Sequence, residues 1–310
     1  MDIDLSTFLS TLGVSAATAA WLAKSLVNQK LEKELQKNKH HFDKELAKYK
    51  SEYESEVKKN IEVYLKENEA LIKYQSEAKA RLYHAIGPLK FQLLLAARDC
   101  KVRITSHPRQ PYKIDIDGHY GKSTAYRIAR LLCLTELIER QVAYADFSVD
   151  SSAVKLLEFK KSLFLIISGS KITAHHPNVE WDTQQEHIFF DVLSTIGNAL
   201  VIREDKINHR CMYFSEFSQL LNDQEFRDKI SPLLHVLSNL NVHKTPILWV
   251  RLSCVAALCG SLISEMGVPV GFKDKPTDLG ALIGVSDDKY LNKKLDKYLS
   301  HFKETMNEGL

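Results

Sequence analysis

The residue types most able to do chemistry gather at His175-His176-Pro177, Glu180, Asp182, Glu186 and His187. Imidazoles and carboxylates are the usual general acids and bases and the usual zinc ligands. If the fold brought His175, His176, His187, Glu180 and Asp182 into one cleft, they would serve an enzyme acting on phosphorylated or nucleic-acid substrates. The spacing fits no metal geometry, because His-Glu-x-x-His is absent and His187 lies beyond a loop. Pro177 and Asn178 read as a connector, closed by the helix-capping box Thr183-Gln184-Gln185-Glu186. No catalytic set, metal or cofactor is therefore expected. His40 and His41 do not change this, since adjacent helical residues point about 100° apart.

A second group carries charge. Arg98, Lys101, Arg103, Arg109, Lys113, Lys122, Arg127 and Arg130 outnumber Asp99, Asp115 and Asp117 around them. Sharing one face, these cations would take phosphate from lipid headgroups or from nucleic acid, and lipid is the nearer partner for an anchored domain. A solvated helix face paired with acids elsewhere is the plainer reading. Within this stretch Gly121-Lys122-Ser123-Thr124 has the ending of a phosphate-binding loop. Ile116 stands where its first glycine belongs, however, and Asp115 and Asp117 are acidic where phosphate would lie. Ser123 or Thr124 as an ordinary helix N-cap explains the same letters. Asp205, Lys206, Asn208, His209 and Arg210 read as turn chemistry.

The elements that must position these groups are helical. Helix-length patterns fall at 123–145, 152–168, 184–204, 215–222, 224–240, 247–265 and 287–305, with one short strand expected at 113–116. Pro246 suits a first helical turn, and Ser286 with Asp287 and Asp288 suits a helix start. Residues 247–263, apolar apart from Arg251, read as a buried core helix. The five cysteines, Cys100, Cys133, Cys211, Cys254 and Cys259, are odd in number and form no Cys-x-x-Cys pair, which points to buried thiols in a reducing compartment. With 42 basic and 39 acidic residues the net charge is only +3, so global charge does not argue for nucleic acid as a partner.

The first eighty residues suggest location. Residues 5–23 carry no charge over 19 positions, close to the about 20 that span a bilayer. Asp2 and Asp4 precede them and Lys24, Lys30 and Lys33 follow, which orients a single-pass inner-membrane anchor with its N-terminus outside and the bulk of the chain cytoplasmic. An amphipathic helix packed on its own domain or on a sister subunit is the alternative. From 30 to 79 there is no Pro or Gly, and Lys, Glu, Gln and Ala dominate, so one long helix is expected. Its seam is Leu31, Leu35, Phe42, Leu46, Tyr49, Tyr53, Val57, Ile61 and Tyr64, mostly three or four apart. The successive fours from Tyr49 to Ile61 depart from a strict heptad toward an 11-residue repeat. Such a stripe should meet a second copy, giving a homo-oligomer through a coiled coil.

The runs Ser123-Thr124-Ala125-Tyr126-Arg127-Ile128 through Ile138-Glu139-Arg140, then Tyr144-Ala145-Asp146-Phe147, resemble an uncharacterised bacterial family. Arg210-Cys211-Met212-Tyr213-Phe214-Ser215-Glu216-Phe217 extends the likeness over roughly residues 120–220. It brings no activity with it. The layout of weak apolar helix, charged coiled coil and helical remainder also looks like small membrane-tethered bacterial proteins, some of them in phage-defence systems, an analogy of architecture. Together these readings give an all-α chain with a membrane anchor helix at 1–28, a charged coiled-coil helix at 29–82 and an all-helical cytoplasmic domain at 83–310. The expected function is a self-associating interaction, scaffold or sensing protein with a protein partner and no chemistry of its own.

Overall fold

The computed structural model describes residues 5–109, 114–143, 146, 149–179, 186–204 and 209–308, with side chains from Ala16 and from Thr18 onward. Two compact units divide the chain, Met1–Tyr74 and Gln75–Leu310. Helix α1 (Leu5–Ser106) contributes to both.

In the first unit α1 is unbroken because no Pro precedes Pro88 and the residues are strong helix formers. Pairs at i,i+4 line its surface: His41–Glu45 at 3.7 Å, Lys48–Glu52 at 3.8 Å and Lys50–Glu54 at 4.0 Å. All are exposed and run base before acid, the weaker order, so each ion pair adds at most about 0.5 kcal/mol, and the His41 pair only when the imidazole is charged. A separate apolar helix ahead of a charged one is corrected here. Residues from Leu5 onward are the beginning of the same helix, which nothing in the sequence interrupts. Among the described residues, the helix long and apolar enough to cross a membrane is instead Pro246–Val270, and its most apolar 18-residue stretch is 89% buried inside the fold.

The second unit is all-α. From Gln75 onward α1 buries Ala78, Leu82, Ile86, Leu89 and Leu93 at spacings of three and four, and it passes Pro88 with the loss of one ladder hydrogen bond. A short 3₁₀ turn (His107–Arg109) ends it. Then follow α2 (His119–Val142), α3 (Ser151–Ser168), α4 (Phe190–Ala199), strands β1 (Val201–Arg203) and β2 (His209–Cys211), α5 (Phe214–Leu220), α6 (Gln224–Ser238), α7 (Pro246–Leu262), α8 (Leu279–Ile283), α9 (Lys289–Lys293) and α10 (Leu295–Asn307). Helix α7 packs on α3 and α8, α2 packs on α3, α4 and α6, and α10 packs on α3 and α8.

Start signals act where acids cap helices. Asp150 accepts from Ser152 N at 2.7 Å, Asp223 from Phe226 N at 2.8 Å and Asp278 from Ala281 N at 2.9 Å. Asp288, rather than Ser286, caps α9 by accepting from Leu291 N at 2.8 Å. Pro246 takes the first turn of α7, as its spacing predicts.

Four expectations change. The helix at 184–204 shrinks to α4, because the chain turns back at Leu200 into β1, which pairs antiparallel with β2 through Val201 opposite Cys211 and Arg203 opposite His209. The helix at 287–305 divides into α9 and α10 at Lys294. Residues 114–116 form no strand. Ser123 and Thr124 do not cap α2, which starts at His119 after Gly118; Thr124 Oγ1 donates to the Tyr120 carbonyl at 2.7 Å inside the helix. The glycine of that run, Gly121, has a packing reason, since a Cβ there would stand 2.0 Å from the Asp115 carbonyl oxygen. Thr183, Gln184 and Gln185 of the expected capping box lie outside the described residues, as do Tyr144, Ala145 and Phe147 of the family-like run.

Arg251 shows how α7 tolerates a charge. It is 2% exposed, and its guanidinium donates to the Ile166 carbonyl at 2.7 Å, the Gly169 carbonyl at 2.8 Å and Thr173 Oγ1 at 3.0 Å. The two carbonyls end α3, so the cation completes a helix C-terminus from inside the core. Burial lowers its pKa to about 10, which still leaves it charged near neutral pH.

All five cysteines are free and buried. Cys133 shares a hydrogen bond with Cys211, and Cys259 with Cys100; these bonds together with burial hold the Cys133 and Cys259 thiols well above their usual range. Protonated and enclosed, they pack as apolar groups.

Candidate functional site

The cations of the second unit separate into two sets. Arg103, Arg127 and Arg130 turn toward the contact between α1 and α2. Arg127 donates to the Asp99 carbonyl at 2.9 Å and Arg130 lies 3.8 Å from the Asp99 carboxylate. Arg103 donates to Ser123 Oγ at 3.1 Å and stacks over the Tyr120 ring at 4.2 Å. Burial, then the neighbouring Arg103, lowers the Arg127 pKa. This set joins helices. Lys122 is half-buried on α2, and Lys113 lies outside the described residues.

Arg98, Lys101 and Arg109 face the other way, into a groove of about 790 Å³ whose far wall is the segment 273–285. That wall adds Lys273 and Lys275, which sequence reading missed. Five cations thus meet two carboxylates, Asp274 and Asp278. Both acids are engaged. Lys101 Nζ, nearly buried, donates to Asp274 Oδ1 at 2.5 Å and to the Lys275 carbonyl at 2.6 Å, while Asp278 caps α8. Arg98 shares its Nε and one terminal nitrogen with Asp99 at 3.2 and 3.0 Å. Arg109, Lys273 and Lys275 are exposed and make no ion pair with the described residues. Lys101 pins the segment to α1, and Gly260 makes room for it: a Cβ there would stand 3.3 Å from Lys101 Nζ and 3.2 Å from Thr277 Oγ1.

Two members of the histidine and carboxylate set, Glu186 and His187, are engaged with the fold. His187, 2% exposed, packs its ring on Phe189 at 5.1 Å. Glu186 accepts from Leu248 N at 2.9 Å and so caps α7, and burial raises its pKa. Glu180 and Asp182 lie outside the described residues.

His175 and His176 instead meet residues far along the chain. The His175 ring sits 4.3 Å from Tyr298 and 5.0 Å from His301. Burial, then His301 and Lys297, lowers its pKa, so it stays neutral near pH 7. His176 Nδ1 accepts from Asn178 N at 3.1 Å, which directs its Nε2 proton toward Asp288, 3.6 Å away. The His175 ring nitrogens and the Tyr298 hydroxyl are buried and have no hydrogen-bond partner among the described residues. Among the described residues no three His, Cys, Asp or Glu side chains are placed to hold a metal ion.

Arg210 of the family-like pattern forms a bidentate pair with Glu216 at 2.7 and 2.8 Å, and Glu216 also accepts from Tyr213 N at 2.6 Å. The Arg210 pair, then the Tyr213 N–H, draw the Glu216 pKa down to about 2. The guanidinium covers the Tyr213 ring at 4.6 Å, and its role is to fasten β2 to α5.

In the first unit every seam residue is exposed, from Val57 at 36% to Phe42 at 72%. At 100° per residue the nine fall within an arc of about 120°. Tyr53, Val57 and Ile61, edged by Glu54, Lys58 and Glu62, line a shallow depression of about 410 Å³ on this face.

No protein-family model, curated protein or solved structure matches the chain.

Proposed function

We propose that this is a membrane-tethered, self-associating helical protein that works by binding, as a scaffold or sensor, without chemistry of its own. The observation that carries the reading is the apolar stripe of α1, nine large side chains held together along one face and exposed to water. A monomeric soluble protein rarely keeps so long a contiguous apolar stripe open.

A second copy is the occupant proposed for it. Side chains of this size, 36–72% exposed, offer roughly 100 Å² each, about 900 Å² per copy, against about 800 Å² per partner in standard interfaces. Charge agrees: residues 30–50 hold seven Lys against four acids, and residues 51–74 hold four Lys against six. An antiparallel copy therefore sets the basic half against the acidic half. The tether rests on the uncharged residues 5–23 and the lysines that follow them. With antiparallel rods, both tethers reach one bilayer only if the pair lies along it.

The test compares the full chain with one starting at Lys30, by carbonate-washed membrane fractionation and by mass measurement in solution. Membrane retention of the full chain alone, with the shorter chain soluble and dimeric or larger, is the expected outcome. A full chain extracted without detergent sinks the tether, and a monomeric shorter chain sinks self-association. Against the enzyme alternative, among the described residues Glu186 serves as a helix cap and His187 packs on Phe189.

A further inference from the structure

We propose that the groove between residues 98–109 and 273–285 binds a ligand bearing two or more phosphate groups. The argument is independent of the rod and of the tether. Segments about 170 positions apart in sequence bring Arg98, Lys101, Arg109, Lys273 and Lys275 to one concavity of about 790 Å³, within the roughly 300–1,000 Å³ of small-molecule sites. The groove's acids are spent on the fold: Asp274 holds Lys101, and Asp278 caps α8. What remains facing solvent is the positive charge of Arg109, Lys273 and Lys275, which no described residue pairs, beside Arg98, which shares Asp99.

Folding alone would not select this arrangement, since unpaired like charges on facing walls repel. A polyanion turns that repulsion into binding. Guanidinium and ammonium groups side by side suit phosphate, the first by its bidentate fork and the second as a point charge. Arg98 and Arg109 are eleven residues apart along the end of α1 and its closing 3₁₀ turn, roughly 16 Å along the axis, so the cations are spread along the groove rather than gathered at one point. The site therefore fits an extended ligand whose phosphate groups are separated. Val102 at 55% exposure and Val285 at 39% stand among the cations, ready to contact its apolar part. Phosphate groups of this kind could be free in solution or on a lipid headgroup, and the test separates the two.

Full-length protein is titrated by calorimetry with orthophosphate, tripolyphosphate and a duplex oligonucleotide. Flotation with phosphatidylcholine vesicles, with and without cardiolipin, follows. Each is repeated for Arg109→Glu/Lys273→Glu/Lys275→Glu and for a control with three exposed lysines reversed elsewhere, Lys244→Glu/Lys289→Glu/Lys293→Glu. The expected result is saturable tripolyphosphate binding about tenfold or more tighter than orthophosphate, weakened on the order of 100-fold by the groove variant and little by the control. Cardiolipin-dependent flotation lost only in the groove variant would support the same site with lipid as the source. Equal weakening by the control set, oligonucleotide binding alone, or flotation that ignores both cardiolipin and the groove variant without any tripolyphosphate binding would overturn it. A monomeric protein that still binds tripolyphosphate would sink self-association and leave the groove standing.

Discussion

Helix α7 and the rod portion of α1 are both helices without an internal proline, yet their surfaces are opposites. Every residue of α7 except Ser261 is buried, whereas residues 31–64 of α1 are exposed all round. In α7 neighbours on several sides supply the stability, and a charge survives only because three acceptors wait for it. The rod has propensity and i,i+4 pairs of a few tenths of a kcal/mol each, with an apolar face left over. A helix stabilised from outside itself must have its neighbours named; for the rod, the proposed neighbour is another rod.

The largest effect should come from the rod face. Tyr49→Lys, Tyr53→Lys, Val57→Lys and Ile61→Lys together remove side chains worth about 1.5–3 kcal/mol each when buried. Self-association should vanish in sedimentation, while the cooperative thermal unfolding of the second unit stays where it was. An unchanged mass would remove the stripe as the interface.

Next comes the core charge. Arg251→Ala leaves the Ile166 and Gly169 carbonyls and Thr173 without their donor, and should cost about 3–5 kcal/mol in denaturant unfolding. If stability barely moves, α7 is not the core helix it is taken to be.

A smaller loss is expected at Gly197, where α4 crosses α2. A Cβ there would lie 3.0 Å from the Leu132 carbonyl and from Glu136 Cγ, so Gly197→Ala should cost about 1–3 kcal/mol by overpacking. Ala47→Gly in the exposed rod should cost about 1 kcal/mol or less, through helix propensity alone. A Gly197→Ala loss as small as the rod's would show that α2 and α4 are free to move apart.

The smallest effect is a pH dependence. The folded His175 pKa lies below 6.5, so the unfolded chain binds the proton more readily. Its contribution is present above about pH 6.5 and is shed as pH falls below that value, toward the lower folded pKa. His175→Phe should flatten part of this stability profile, seen as an unfolding midpoint that drops less between neutral and mildly acidic pH, with His107, whose pKa burial also lowers, supplying a remaining drop.

Much of the helix inventory was legible because periodicity and caps are local. The apolar spacing of α2, α3 and α6 and the first-turn Pro246 each act within one or two turns. The hairpin escaped because two three-residue strands carry too little pattern to rival the helix signal of 184–204. Glu186, read as part of a capping box for its own segment, caps a helix that begins 60 positions later. Of the basic candidates, sequence proximity grouped eight, but Arg103, Arg127 and Arg130 lie in the contact between α1 and α2 while Arg98, Lys101 and Arg109 face the groove.

By itself the sequence determined the helical class, the long uninterrupted α1 and its apolar stripe, because propensity, period and the absence of breakers are carried by near neighbours. Only the tertiary structure decided which stripe is covered, which carboxylates are already spent, and that Lys273 and Lys275 stand opposite Arg98 and Arg109. Those facts depend on distances between residues far apart in the chain, and such distances exist only once the core has packed.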